Sequence, residues 1–193
     1  MKNVVVILLA SVILNSCSTI GALSSFRPSS SISYVEGKTE FVELKDGKII
    51  EGKIENLKWV DDLPMIQSSK FTVNGTSYRG KEINALQSKN RYFRKTVYND
   101  FAERIIKGKI NVYTLEKQTA PNEKGRITFY SLHYLQRGEN GHLDEYDNKL
   151  MEKTISDNST ALAKFNDYKK LSNREKNRKG GNYLTEIIET YNK

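Results

Sequence analysis

The sequence predicts an α+β domain, with an antiparallel, hairpin-rich sheet in the N-terminal two-thirds and packed helices at the C-terminus. Three observations carry that prediction. Short runs of β-branched and aromatic residues flank Asp46-Gly47 and Asn74-Gly75, dipeptides that accept the positive φ angles of tight hairpin turns. In the last third the apolar residues fall at the spacing of one helical face. Strands come first and helices last, which places the helices on one face or end of a sheet, not between parallel strands.

The elements follow in order. Phe41-Val42-Glu43-Leu44 and Ile49 to Ile54 form a hairpin about a type I′ turn at Asp46-Gly47, and Leu57 to Val60 extends its second strand. Lys70 to Val73 and Thr76 to Tyr78 repeat the device across Asn74-Gly75. Arg91 to Thr96 suits a strand. From Tyr98 or Asn99 the period changes: Phe101, Ala102, Ile105 and Ile106 share a helical face, and Gly108 sits where a C′ glycine ends a helix. Lys109 to Leu115 and Ile127 to Gln136 return to strand, joined through Pro121, Asn122 and Gly125. Gly138 to Gly141 is a turn, and His142 to Tyr146 pairs briefly.

In the tail, Asp147 or Asn148 caps a helix through Leu150, Met151 and Ile155. Asn158 or Ser159 caps a second, carrying Leu162, Phe165, Tyr168 and Leu171. Gly180-Gly181 is expected to break the chain. Asn182 then caps a terminal amphipathic helix with Leu184, Ile187, Ile188 and Tyr191 on its apolar side.

The chain divides into residues 1–16, a leader; 17–37, a serine-rich tether; and 38–193, a single domain. Lys2 precedes an apolar stretch from Val4 to Leu14. Its length of about eleven residues suits a secretory h-region and falls short of the roughly twenty that cross a bilayer. Leu14-Asn15-Ser16-Cys17 follows directly, and Cys17 is the single cysteine. This run resembles the lipobox of a bacterial lipoprotein precursor, in which the thiol takes a diacylglyceryl group and becomes the first mature residue. A transmembrane anchor, or ordinary signal cleavage that leaves a free thiol, is the competing reading. Ser18 resembles the residue that directs enteric lipoproteins to the outer membrane. Thr19, Ile20, Gly21 and Ala22 carry no acidic cluster of the kind that exports some Bacteroidota lipoproteins to the surface, so a periplasm-facing domain is expected. Two or more acyl chains hold firmly where one binds reversibly. With one cysteine no intrachain disulfide can form, so the fold stands on its core. Few bulky side chains interrupt Ser18 to Gly37, which fully extended spans on the order of 60 Å.

The formal net charge is +8. It concentrates in Arg79, Lys81, Lys89, Arg91, Arg94 and Lys95, and again in Lys169, Lys170, Arg174, Lys176, Arg178 and Lys179. Tyr92 and Phe93 are interleaved with the first group, a pattern that in a cytoplasmic protein would raise nucleic-acid binding. The export signal redirects it, so no nucleic acid is expected. The charges read as a solvated face, or as attraction to anionic lipid headgroups or an anionic envelope polymer.

The run from Phe101 to Tyr113, after a hairpin like Leu44 to Gly52 and before a strand like His133 to Gly138 and a tail like Ile187 to Asn192, is similar to uncharacterised secreted and lipoprotein families of Bacteroidota. That resemblance spans roughly Gly37 to Lys193. It implies an envelope location and an α+β architecture, and it brings no activity and no catalytic residue.

Chemistry-bearing residues are sparse. His133 and His142 are the two histidines. With Asp144 and Glu145 they match no established ligand spacing, and on a strand His142 and Asp144 share a face while Glu145 points away. No Gly-x-Ser-x-Gly elbow or glycine-rich phosphate loop occurs, and Asp61-Asp62 and Asp144-Glu145 are acids adjacent in sequence near turns. Tyr78, Tyr92, Tyr98, Tyr113, Tyr130, Tyr134 and Tyr146, with Trp59 and Phe129, serve as sheet filler or as an interface or sugar platform. The expectation is a membrane-anchored envelope lipoprotein acting as a non-enzymatic interaction or structural module. Its lipid is attached at Cys17, it needs no cofactor, and its partner is a protein or an anionic polymer. The alternative is an envelope hydrolase or transferase acting on glycan or peptidoglycan through His142, Asp144 and Glu145.

Overall fold

Hairpins build most of the sheet. The computed structural model describes residues 26, 34–60, 62–118, 120 and 128–193. Cys17, the leader, Asp61, most of the tether and the connection through Pro121, Asn122 and Gly125 lie outside the described residues. β1 (Phe41–Leu44) pairs with β2 (Ile49–Glu51), matching Val42 with Ile50. Gly47 alone takes positive φ there, at 82°, and the Leu44 amide donates to Lys48 O at 2.9 Å. The turn is therefore the three-residue form ending in one left-handed residue, not the expected type I′. Asn74-Gly75, with φ of 49° and 76°, is the tight two-residue turn anticipated between β6 (Lys70–Val73) and β7 (Thr76–Arg79).

The second strand of the first hairpin is shorter than expected. Gly52 ends it, and β3 (Ile54–Glu55) joins β6 and β7 in a separate three-stranded sheet. A Cβ at Gly52 would collide with the Asn74 side chain, whose Nδ2 donates to Glu51 O at 2.8 Å. β4 (Trp59–Val60) and β5 (Leu63–Pro64) form a two-stranded ribbon of their own, so Leu57 to Val60 extends nothing. A 3₁₀ turn at Gly80–Glu82 leads into β8 (Ile83–Ser88), which pairs with β9 (Arg91–Lys95) across Lys89-Asn90, both at positive φ.

β10 (Phe101–Ile106) overturns the predicted helix. It pairs with β9 on one side and β11 (Ile110–Gln118) on the other, with a bulge between Arg104 and Ile106. The bulge shifts the alternation by one, so Phe101, Glu103 and Ile106 share one side of the strand, and a step of two followed by three imitates helical spacing. Gly108 is then no helix terminus. It lies between strands, where a Cβ would strike the Asn192 side chain. β12 (Phe129–Arg137) and β13 (Asp144–Glu145) complete an eight-stranded antiparallel sheet in the order β13-β12-β11-β10-β9-β8-β1-β2.

Three helices follow. α1 (Asn148–Thr154) is capped by Asp147, whose side chain accepts from the Leu150 amide. α2 (Ser159–Lys170) is capped by Asn158 in the same way through the Ala161 amide. α3 (Asn173–Asn192) runs straight through Gly180-Gly181, so the expected break is absent. Its cap is Ser172, in a reciprocal capping box with Glu175, and Asn182 lies inside the helix. A mid-helix glycine costs roughly 1 kcal/mol. Burial of Gly180, Leu184, Ile187, Ile188 and Tyr191 along this helix outweighs that cost.

The cross-strand register assigns the two faces of the large sheet. On the layered face lie Val42, Leu86, Phe93, Glu103, Thr114 and His133 in successive partners. Over the β11–β12 end of this face the helices pack against Ile106, Ile110, Val112 and Leu135. Over the β1–β8–β9 end the small sheet contributes Ile54, Phe71 and Val73. Phe26, inside the segment read as tether, is 4% exposed and belongs to the helical core. It meets the rings of His133 and Tyr146 edge-on, each at 5.2 Å. The opposite face carries no helix among the described residues and is roofed by loops.

Candidate functional site

The loop-covered face is assembled from residues the strands bring into rows. One row runs Phe41, Gln87 and Tyr92 through β1, β8 and β9, and continues as Arg104, Tyr113, Tyr134 and Glu145 through β10 to β13. A second row runs Glu43, Ala85, Arg94 and Ala102. The polar groups of the first row from Gln87 to Tyr134 are buried to an unusual degree for a sheet, while Glu145 at its end is exposed. Gln87 is held by the 34–38 segment, accepting from the Val35 amide at 2.7 Å and donating to Val35 O at 3.1 Å. Arg104 is fully buried, with its guanidinium 4.2 Å over the Tyr92 ring and donating to the Glu139 carboxylate at 3.0 and 3.2 Å. The cation–π contact and the carboxylate together offset the cost of burying that charge.

Glu139 reaches Arg104 because the turn after β12 folds back across this face. Gln136 is the clasp: its Nε2 donates to Glu139 O at 3.1 Å and Gly141 O at 2.8 Å, while its Oε1 accepts from the Tyr113 hydroxyl at 2.8 Å. Burial raises the pKa of Tyr92 and of Tyr113, and raises Tyr134 to about 12. These hydroxyls stay neutral hydrogen-bonding groups at any physiological pH.

Between that turn and the ends of β8 and β9 lies a cleft of about 310 Å³, lined by Asn84, Arg94, Thr96, Val97, Asn140 and His142 among others. Arg94 supplies its charge. Flanked by Ala85 and Ala102, which leave it room, the half-buried guanidinium donates to the Tyr92 hydroxyl and, over 3.3 Å, to Glu139 O. Burial opposes its charge, but Tyr92, Tyr113 and Glu43 outweigh burial and raise its pKa. No carboxylate of the described residues comes within ion-pair distance of it; Glu43 acts from farther away. Lys95 contributes wall but no charge to the cleft. Its ammonium crosses to the layered face, where it donates to Gly80 O at 2.6 Å and sits 5.3 Å over Phe101.

The residues singled out in the sequence are dispersed. His133 is buried on the layered face, while His142 is 80% exposed at the cleft mouth. His142 lies 3.9 Å from Asp144, but Asp144 and Glu145 oppose Leu135 and Tyr134 and so leave the strand on opposite sides. Among the described residues no group of three or more His, Cys, Asp and Glu side chains is placed to hold a metal ion. The first basic stretch forms no single patch. Arg91 pairs with Glu103 and lies near Trp59, Lys89 stands 4.1 Å over Trp59, and Arg94 faces the other way. The second stretch covers the end of α2 and the first half of α3, with Lys176 packed 5.5 Å over Tyr168.

Sequence reasoning missed Arg94, Arg104, Glu139 and Gln136 as a unit. One signal was present: in Arg91 to Lys95, read as a strand, Tyr92 and Arg94 share a face opposite Arg91, Phe93 and Lys95. No protein-family model, curated protein or solved structure matches the chain. No described helix is long and apolar enough to cross a membrane.

Proposed function

We propose that this chain is a lipoprotein of a bacterial cell envelope, held by acyl chains on Cys17, whose folded domain is a non-enzymatic interaction module. The observation that carries the reading is Leu14-Asn15-Ser16-Cys17 directly behind a short apolar segment that begins after Lys2. Ser18 favours the outer membrane, with the domain facing the periplasm. Two features of the domain support an interaction role. An open cleft presents a cation without a carboxylate partner among the described residues, and exposed Val97, Tyr98, Phe129 and Tyr130 offer apolar and aromatic contact area. The candidate partners are an anionic envelope polymer or another envelope protein. The hydrolytic reading gains nothing from the geometry, because Asp144 and Glu145 diverge and His142 stands in solvent.

Cys17→Ser tests the anchor. The substitution is expected to move the protein out of the membrane fraction and to abolish the mass of the acyl chains. Unchanged fractionation together with an unchanged processed mass would refute it.

A further inference from the structure

The cleft on the loop-covered face has a charge pattern that selects among anions. We infer that it binds a carboxylate-bearing sugar unit, with the carboxylate on Arg94. This rests on reading the domain as an interaction module and does not depend on the lipid anchor.

Charge comes first. Of the two cations among the described residues lining the cleft, Lys95 has its ammonium committed to Gly80 O, which leaves Arg94, whose row neighbour Glu43 adds a negative field. The guanidinium fork fits either oxyanion, but a phosphate dianion brings about twice the charge that one guanidinium offsets, whereas a single carboxylate balances it one for one. The remaining groups are neutral and of both hydrogen-bonding senses: the amides of Asn84 and Asn140, the hydroxyl of Thr96 and the imidazole of His142. Such a set suits the hydroxyls of a sugar, which donate and accept. Val97 and Leu143 provide apolar contact for the C–H edges of a ring, and Tyr98, 65% exposed, is next to Val97 in the same turn. At about 310 Å³ the cleft stands at the small end of ligand sites, the size of one or two sugar rings.

Asn84 and the turn at 139–142 are themselves held in place. The Asn84 amide leans on Leu44 O at 3.4 Å, and Gln136 pins Glu139 and Gly141. The walls are thereby ordered before a ligand arrives, which lowers the entropy cost of binding.

The test uses the full chain in detergent and three ligands: a short oligogalacturonate, its neutral methyl ester and inorganic phosphate. Calorimetry is expected to show saturable binding of the acid, with the ester and phosphate each at least roughly tenfold weaker, in keeping with the strength of a charge-assisted hydrogen bond. Arg94→Gln is expected to remove that tenfold preference, and Asn140→Ala to weaken the acid several-fold while the melting temperature holds. Lys169→Gln, on α2 far along the chain, should change nothing. The proposal is overturned if no saturable binding of the acid occurs, if acid and ester bind equally, or if phosphate binds as well as the acid. It also falls if Asn140→Ala, folded by circular dichroism, binds like the parent, an outcome that decides the matter even if Arg94→Gln does not fold. Loss of the anchor in Cys17→Ser would leave all these affinities unchanged, so the two readings fail separately.

Discussion

His133 is buried under Phe26, and that burial draws its pKa down to about 4 against an opposing pull from the Tyr113 backbone. An unfolded chain would protonate the same imidazole near 6.5. Between these values the unfolded state holds more protons, so stability rises with pH through the window. The contribution is complete above about pH 6.5 and is lost as the pH falls towards 4, with a ceiling of about 3 kcal/mol. Urea midpoints measured from pH 4 to 7 should show this slope, and His133→Leu should flatten it. An identical slope in the variant would remove His133 as its source. Arg104 meets burial differently: its guanidinium donates to Glu139 and lies over the Tyr92 ring, so partners replace the solvent that burial removes.

Among the elements, α3 offers the sharpest contrast between sequence and structure. Ser172→Ala removes a capping box and should cost about 1 kcal/mol, whereas Asn182→Ala replaces a poor helix former at an exposed interior position and should gain a few tenths. Thermal melts of the two variants check this, and the reverse ordering would restore a helix start at Asn182. The strands and helices were legible wherever the local pattern was sufficient: Asn74-Gly75 demanded its turn, and Asp147 and Asn158 announced their helices. Lys89-Asn90 was not, because lysine is no turn former and its positive φ of 51° is imposed by the strands it joins. β10 failed for a different reason. Its bulge is a property of pairing with β11, and the phase shift it creates reads as helix when the partner strand is unseen. The cleft lay beyond reach on similar grounds, since Arg94 meets the 139–142 turn only through the order of the four strands β9 to β12.

For the molecule as a whole, Phe26 ties the segment read as tether to the folded domain. Its ring is buried in the helical core, ahead of the boundary at residue 38 that composition suggested. Phe26→Ala should cost about 3 kcal/mol, read as a lower urea midpoint. A variant as stable as the parent would show that this contact holds nothing. Docking at residue 26 also changes the geometry of attachment. From a lipid on Cys17, as proposed, the chain can extend only ~30 Å before it enters the protein, half the span that the whole serine-rich segment would allow. The protein then behaves less like a float on a line than like a lamp on a short bracket. Phe26 enters on the helical side of the sheet, so the proposed anchor would draw that side towards the bilayer and leave the Arg94 cleft, on the reverse side, facing away from it.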